Sequence, residues 1–227
     1  MTHLPSGADL MVQSHVVRVP PLDGEAMLRI PDYPHGVVLF AHGSGSSRHS
    51  PRNGFVASEL NRAGIATLLF DLLSEEEEGD RRRVFDIGLL ARRLTITTDW
   101  IAAQEVTRGL PIGYFGASTG AAAALVAAAG LADTIAAVVS RGGRPDLAGT
   151  ALPAVAAPTL LIVGGADAEV LDLNRSAARH LRCPHRVEVI PDATHLFEEP
   201  GALETVAVLA QRWFLNAFAP GHDFVMP

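Results

Sequence analysis

The sequence has little of what would indicate a disulfide-stabilised or nucleic-acid-binding protein. Its 227 residues include one cysteine, Cys183, so no disulfide can form within the chain, and we expect a cytoplasmic location. Lysine is absent: all 18 basic side chains are arginine, and 25 acidic side chains bring the formal net charge to −7. Because nucleic acids attract basic surfaces, this acidic balance predicts no nucleic-acid partner.

Long hydrophobic runs are also scarce. The chain begins with a polar segment in which no basic start precedes an apolar core, so we expect no signal peptide. The uncharged stretch near residues 119–131 is rich in alanine and contains glycine, which favours a buried helix over a membrane span. No group of His, Cys, Asp and Glu has metal-ligand spacing, and we expect neither a metal nor another cofactor.

What the sequence does contain is the pattern of one α/β domain. Apolar residues make up 48% of the chain, enough for a sizeable core, and short apolar runs alternate with longer helical patterns. This predicts a mostly parallel twisted sheet with helices on both faces over residues 1–218, followed by a disordered tail at Ala219–Pro227.

The predicted elements follow from the period of each apolar pattern. A hairpin of Val12–Val19 and Glu25–Ile30 is expected at an antiparallel edge of the sheet. The other predicted strands are Gly36–Ala41, Ala66–Phe70, Pro111–Phe115, Thr134–Val139, Thr159–Val163 and Val187–Ile190. The predicted helices are Asn53–Arg62, Val84–Arg108, an alanine-rich helix ending near Gly130, Leu171–Leu181 and Gly201–Phe218.

Three polar residues each follow the end of a predicted strand: Ser118, Asp167 and His195. Ligands of open parallel sheets bind at the carboxyl ends of the strands, so these side chains are expected to meet. Their order along the chain, Ser then Asp then His, is the order of the α/β-hydrolase triad and differs from the two other familiar serine-hydrolase orders.

Ser118 lies in the pentapeptide GASTG, which fits the G-x-S-x-G pattern between a strand and a helix. Such a turn lifts the serine hydroxyl clear of the sheet, and small neighbours are needed because the strand and helix crowd it. The pentapeptide alone is weak evidence, whereas its position after a strand and before an alanine-rich helix is specific. We therefore predict Ser118 as the nucleophile.

His195 and Asp167 are the predicted base and the acid that orients it. Of nine histidines, His195 is the one in the loop between the last predicted strand and the last helix. Asp167 follows Gly164-Gly165-Ala166, which come directly after the strand ending at Val163. Glu169 and Asp172 remain rivals for the acid, although Asp172 falls within the following helical pattern.

The oxyanion of a tetrahedral intermediate needs preorganised N–H donors. We predict the backbone N–H of Thr119, at the start of a helix, and that of Ser44, in the glycine- and serine-rich loop HGSGSS after the strand Gly36–Ala41. The loop lacks the Lys-Ser/Thr ending of a phosphate-binding loop.

Two further features have an open interpretation. Arg141 and Arg144 follow a predicted strand near the expected mouth of the site, where Arg141 could bind a substrate carboxylate, or both could be solvated or paired with acids such as Asp146. The charged run Ser74–Arg83 (SEEEEGDRRR) is most simply a solvated loop or helix start, and alternatively a mobile lid.

With these residues in view, the chain resembles the dienelactone hydrolase family of α/β-hydrolases. The resemblance covers nearly the whole chain, through GVVLFAHGSGSS, IGYFGASTGAA, APTLLIVGGADAEV and ATHLFEEPG. It is similar in particular to hydrolase domains that some bacteria carry alone or fused to a phosphoribosyltransferase domain. The resemblance implies a nearly capless hydrolase of esters or lactones. Dienelactone hydrolase itself uses a Cys nucleophile, whereas this chain has Ser118, which favours ordinary carboxylic esters.

The expected function is therefore that of a serine esterase on small or short-chain esters or lactones. A thioesterase or amide hydrolase with the same triad remains open, as does a non-catalytic partner or binding domain. The expected partner is a small-molecule ester, with no membrane involved, and the chain is expected to be a monomer or a homodimer.

Overall fold

A computed structural model of the chain describes residues 11–219 and 224. Its strands are β1 (Val12–Val19), β2 (Gly24–Pro31), β3 (Val37–Ala41), β4 (Ala66–Leu69), β5 (Ile112–Ala117), β6 (Ile135–Arg141), β7 (Thr159–Gly164) and β8 (His185–Ile190). They form one sheet in the order β1-β2-β4-β3-β5-β6-β7-β8. β2 pairs antiparallel with β1 and β4, whereas each pairing from β4 to β8 is parallel. The predicted mostly parallel sheet with an antiparallel hairpin at its edge is confirmed.

Helices cover both faces of this sheet. They are α1 (Pro51–Arg62), α2 (Glu75–Glu78), α3 (Arg81–Val84), α4 (Ile87–Ala103), α5 (Thr119–Gly130), α6 (Ala168–Ala178) and α7 (Ala202–Phe218), with a 3-10 segment at Pro145–Ala154. Alternate residues of β3 face opposite layers: Val37 and Leu39 pack with α4 and α5, and Val38 and Phe40 with α1 and α7. Burial on both faces explains why β3 is a continuous apolar run.

The alanine-rich helix α5 is buried along almost its whole length, as predicted. Its small side chains let its backbone approach the sheet closely, and no helix among the described residues has the length and apolar character needed to cross a bilayer.

Two predicted boundaries differ from the structure in ways that matter for the site. β6 continues past Val139 to Arg141, because Arg141 pairs with Ala117 of β5 and Ile162 of β7. Helix α6 begins at Ala168, directly after Asp167, and ends at Ala178, short of the predicted Leu181. Cross-strand pairing extends β6 through polar residues that carry no apolar pattern of their own.

The charged run Ser74–Arg83 forms α2 and most of α3, each a single turn. Ser74 begins α2 with a capping box, in which its hydroxyl accepts from the Glu77 N–H and the Glu77 carboxylate accepts from the Ser74 N–H. Glu77 also accepts hydrogen bonds from Arg83 at 2.6 Å and from both Nη atoms of Arg93 at 2.6 and 2.9 Å. One carboxylate thus ties both short helices to α4.

The predicted disordered tail Ala219–Pro227 lies outside the described residues except at Ala219 and Phe224. Residues 1–10, where the sequence predicts no signal peptide, also lie outside the described residues. Phe224 packs its ring 4.7 Å from that of Trp213 in α7.

The bonds to Glu77 predict a pH-dependent contribution to stability. The hydrogen bond from Arg93, foremost among several, lowers the pKa of Glu77 from 4.5 to about 2. A lowered pKa means that the contribution is complete above pH 4.5 and is lost as the pH falls towards 2. We expect Glu77→Gln to lower the free energy of unfolding at pH 7 by about 1–3 kcal/mol, because the guanidinium of Arg93 loses its charged acceptor.

Denaturant unfolding at pH 7, 4 and 3 checks this prediction, with the exposed neighbour Glu76→Gln as the matched control. The deficit of the Glu77 variant should shrink as the pH falls, while the control should match the wild type throughout. A deficit of constant size at every pH would contradict the assignment.

Candidate active site

Ser118 occupies the tight turn between β5 and α5. Its backbone has φ 49° and ψ −123°, a left-handed conformation that costs a non-glycine residue about 1–3 kcal/mol. The turn is held by hydrogen bonds from the Ser118 N–H to the Arg141 carbonyl at 3.4 Å and from the Arg144 N–H to the Ser118 carbonyl at 3.0 Å. The Ser118 side chain makes no capping bond to α5, so its hydroxyl is not consumed by the helix.

Two glycines make the turn possible. A Cβ on Gly116 would lie 2.4 Å from Ala121 Cα, and a Cβ on Gly120 would lie 2.1 Å from the Ala41 carbonyl oxygen. Both distances are shorter than atoms can tolerate, so only glycine allows α5 to start this close to β3 and β5. The glycines of the G-x-S-x-G pattern therefore serve backbone packing.

Asp167 and His195 meet at the carboxyl ends of β7 and β8. The carboxylate of Asp167 accepts a hydrogen bond from His195 Nδ1 at 2.7 Å. Since a carboxylate can only accept, Nδ1 carries the hydrogen and Nε2 is left as the basic nitrogen. The Asp167 side chain is 17% exposed and the imidazole 40%, which leaves the ring accessible from solvent.

Close backbone contacts hold this pair in place. A Cβ on Gly164, at the end of β7, would lie 2.2 Å from the Ala193 carbonyl oxygen, so the loop carrying His195 sits directly against the strand before Asp167. On the other side, Gly142 follows β6, and a Cβ there would lie 3.2 Å from the His195 carbonyl oxygen. The loops after β6, β7 and β8 are therefore in direct contact.

The rival acids are placed elsewhere. Asp172 is exposed on α6, where its carboxylate lies 3.7 Å from Arg175, and Glu169 is exposed in the first turn of the same helix. Among the described residues, Asp167 is the carboxylate that bonds to His195. Within the described ranges, the Ser118 hydroxyl has no hydrogen bond. Hydrogen bonds between catalytic groups are commonly long in the absence of substrate and shorten when it binds.

The loop after β3 lies against Ser118. A Cβ on Gly43 would be 2.7 Å from Ser118 Cβ, so a side chain at this position would displace Ser118. The loop is held by the buried imidazole of His42, whose Nε2 accepts from the Leu72 N–H at 3.0 Å. Nδ1 must then carry the hydrogen, and it donates to the Gly43 carbonyl at 3.0 Å. The sequence did not reveal this supporting role for His42.

The two residues predicted for the oxyanion site are in contact. The Ser44 N–H donates to the Thr119 hydroxyl oxygen at 3.1 Å. Both border a small cavity that is also lined by Glu78 of α2 and Val84 of α3. The charged run Ser74–Arg83 therefore lies beside the loop of residues 42–47 after β3, the candidate oxyanion loop. Whether the charged run moves as a lid stays a prediction.

The two arginines after the predicted strand have different environments. Arg144 pairs with Asp146 through two hydrogen bonds of 2.9 and 2.8 Å, which raise the pKa of its guanidinium. Arg141, in contrast, is only 8% exposed, and its guanidinium carbon lies 6.0 Å from the centre of the ring of Phe197, two residues after His195.

Arg141 is short of hydrogen-bond partners. Its Nη2 donates to the Asn53 side-chain oxygen at a long 3.4 Å, while Nε and Nη1 are buried without a partner in the described part of the chain. Burial, together with the nearby charge of Arg52, lowers the pKa of Arg141 to about 10. The roles of Asn53 and Arg52 could not be found from the sequence, because they lie about 90 residues earlier.

Other chemistry is not indicated in the described residues. No group of three or more His, Cys, Asp and Glu side chains there is arranged to hold a metal ion. Cys183 is buried, with its thiol 3.8 Å from the Thr159 hydroxyl, and burial raises its pKa, which disfavours the reactive thiolate.

Comparisons with known proteins show the family of the chain. The model of the dienelactone hydrolase family matches residues 25–217. Putative phosphoribosyl transferases from two strains of Mycobacterium tuberculosis are 61% identical over 189 residues, which is 83% of this chain and 43% of theirs. The chain thus spans less than half the length of these curated relatives.

Solved structures show the same relationship. The crystal structure of a dienelactone hydrolase from Anabaena variabilis is 55% identical, with a TM-score of 0.85 over 92% of this chain and 98% of that one. Est1E from Butyrivibrio proteoclasticus shares the fold at 15% identity, with a TM-score of 0.73 over 90% of this chain and 98% of its own. The fold is that of an α/β-hydrolase, and the chain belongs to the dienelactone hydrolase family of hydrolases.

Proposed function

We propose that this hydrolase cleaves carboxylic esters of small or short-chain acids, including lactones, through an acyl-enzyme on Ser118. The observation that carries the proposal is the 2.7 Å bond between Asp167 and His195 beside the strained turn at Ser118. A serine hydroxyl is a poor nucleophile without a base, and an imidazole whose Nδ1 is fixed by a carboxylate offers Nε2 as that base.

In the proposed reaction each of these groups has one role. His195 Nε2 takes the Ser118 proton as the hydroxyl oxygen attacks the ester carbonyl, and Asp167 stays ionised and stabilises the imidazolium. The oxyanion forms at the site bordered by Thr119 and Ser44. The alcohol leaves with the proton from His195, and a water molecule activated by His195 then releases the acid and restores Ser118.

Substrate size is inferred from the short connections around the site. The segment between β6 and β7 is residues 142–158, of which ten form the 3-10 segment, so it is too short to build a cap domain. A site without a cap stays open to water and offers little apolar surface to a long acyl chain. We therefore favour short acyl groups.

Arg141 is the proposed contact for a carboxylate on the substrate. A buried guanidinium with two unpartnered nitrogens is costly, and an anion is the partner that would offset this cost. The Arg141 guanidinium carbon lies 6.0 Å from the centre of the Phe197 ring, two residues after His195, so an anion bound there would lie near the loop that carries His195. Arg144 is a poorer choice because Asp146 already neutralises it.

Two other functions remain as alternatives. A thioesterase or amide hydrolase would use the same triad, and a non-catalytic partner domain would keep the fold without needing the activated serine. The phosphoribosyl transferase name belongs to relatives more than twice as long as the region matched, and we do not extend that activity to this chain.

The first prediction from the proposed function concerns the triad. We expect a fluorophosphonate probe to modify Ser118 stoichiometrically, as located by mass spectrometry, and not to modify Ser118→Ala. Asp167→Asn should slow the labelling and lower kcat by up to about 10⁴-fold, because the imidazole loses the group that fixes its tautomer.

The matched control for Asp167→Asn is Asp172→Asn, an exposed carboxylate on the helix that follows Asp167. It should behave as the wild type. Absence of labelling in folded wild-type protein would instead favour the partner-domain alternative.

The second prediction concerns the leaving group and the acyl chain. Matched butyryl oxygen ester, thioester and anilide substrates should be hydrolysed with the highest kcat/KM for the oxygen ester. Within a series of p-nitrophenyl esters, kcat/KM should fall from short to long acyl chains. A preference for the thioester, or for long chains, would contradict the respective part of the proposal.

The third prediction concerns Arg141. The mono-p-nitrophenyl ester of glutaric acid and p-nitrophenyl butyrate differ in a terminal carboxylate, and the wild type should prefer the former. Arg141→Met should remove about 10–100-fold of kcat/KM for the anionic ester while sparing the neutral one, because one charge-assisted hydrogen bond is worth about 1.5–3 kcal/mol.

The comparison variant is Arg144→Met, whose guanidinium is already paired and which should keep the preference. Equal losses on both esters in the Arg141 variant would assign Arg141 to structure instead of substrate binding.

A further inference from the structure

The hydroxyl of Thr119 lacks the intrahelical acceptor that the hydroxyls of Thr98 and Thr205 use. Thr98 in α4 and Thr205 in α7 each donate to the carbonyl four residues earlier, at 2.8 and 2.7 Å. Thr119 is the first residue of α5, and the residue four positions before it, Phe115, lies in β5, so no helical carbonyl is available. Within the described residues, the one hydrogen bond of this hydroxyl is the one it accepts from Ser44.

The oxygen of the Thr119 hydroxyl therefore accepts a hydrogen bond from Ser44, whereas the hydrogen of this hydroxyl has no acceptor among the described residues. The side chain is 2% exposed, so bulk water does not readily take the place of that acceptor. A buried donor left without a partner costs about 1–3 kcal/mol. Such a donor beside a nucleophile is well suited to a partner that arrives with the substrate.

The geometry around the hydroxyl is fixed from both sides. Gly120 sits against the carbonyl oxygens of Ala41 and His42, where a Cβ would be 2.1 and 2.5 Å away, so α5 cannot slide along the loop. His42 in turn holds the loop through its bonds with Leu72 and Gly43. The contact between Ser44 and Thr119 is thus part of a rigid arrangement that exists before substrate arrives.

This arrangement changes the part that Ser44 plays. The Ser44 N–H has a single hydrogen, which is committed to the Thr119 hydroxyl oxygen at 3.1 Å. It cannot serve an oxyanion at full strength without giving up that bond. The Thr119 hydroxyl, polarised by the Ser44 N–H, can donate its own hydrogen to the oxyanion without any rearrangement of the loop.

We propose that Thr119 supplies two donors to the oxyanion, its backbone N–H and its side-chain O–H, and that Ser44 acts through the Thr119 hydroxyl. The inference rests on the proposed function, because it concerns the same acyl transfer. The O–H stays covalently intact throughout, and no proton is transferred from Thr119. Hydrogen bonds to a charged oxygen are shorter and stronger than those to a neutral carbonyl, so the contribution falls mainly on the transition state.

The experiment uses three substitutions at Thr119. Thr119→Val keeps the shape and removes the hydroxyl, Thr119→Ala removes it with a smaller side chain, and Thr119→Ser retains it. We measure kcat and KM on p-nitrophenyl butyrate and the rate constant for fluorophosphonate labelling of Ser118, whose phosphoryl oxygen also enters the oxyanion site. Thr205→Val on α7 is the matched control for exchanging threonine for valine.

The expected result is a loss of about 10²–10³-fold in kcat for Thr119→Val and Thr119→Ala, the size found when one oxyanion donor is removed. KM should change little, labelling should slow in parallel, and Thr119→Ser should retain most of the activity. Circular dichroism and thermal unfolding of each variant separate these losses from misfolding. If the valine variant does not fold, the alanine variant decides.

Two outcomes would overturn the inference alone. Wild-type or higher kcat in a folded Thr119→Val or Thr119→Ala variant would mean that the hydroxyl merely covers the Ser44 N–H, which would then be the direct donor. Loss of activity in Thr119→Ser equal to that in Thr119→Val would assign the effect to packing. Failure of the wild type to label at Ser118 would instead overturn the proposed function, and the inference with it.

Discussion

The left-handed turn at Ser118 is the constraint on which the rest of the site depends. It can form only because Gly116 and Gly120 let the first turn of α5 press against β5 and the end of β3. The same contact brings Thr119 to the loop that carries Ser44, so that Ser118 and the candidate oxyanion donors are positioned together. The backbone cost of the turn is offset by hydrogen bonds from neighbouring loops and by the buried alanines of α5.

Around this turn, the site is assembled by backbone contacts between loops more than by side chains. The loops after β3, β6, β7 and β8 touch where glycines remove the Cβ: Gly43 against Ser118, Gly142 against His195, and Gly164 against Ala193. The Asp167–His195 bond joins two of these loops and depends on their accurate placement. The backbone contacts between the loops make this placement accurate, because backbone atoms have fewer ways to relax than long side chains do.

Two charged side chains, those of Glu77 and Arg141, have opposite environments. Glu77 accepts hydrogen bonds from Arg83 and Arg93 and so holds the charged run beside the candidate oxyanion loop. This acid in a charged run therefore has a structural role. Arg141 is the opposite case, a buried guanidinium with two nitrogens that find no partner among the described residues. Burying an unpaired charge is unfavourable, and this cost is the reason for proposing that Arg141 binds an anionic ligand.

Much of this protein was determined by its sequence alone. The parallel sheet, the hairpin at its edge and the positions of Ser118, Asp167 and His195 at strand ends could be predicted because apolar period, glycine spacing and the order of polar residues along the chain are local signals. The catalytic roles of these three residues stay a prediction. The neighbours of these residues were decided by the tertiary structure. Three hydrogen bonds join segments about 30 to 90 residues apart: Arg141 to Asn53, Leu72 to His42 in the candidate oxyanion loop, and Ser44 to Thr119. No local pattern encodes such pairs, because hydrogen bonds across loops depend on how the packed helices and strands bring them together.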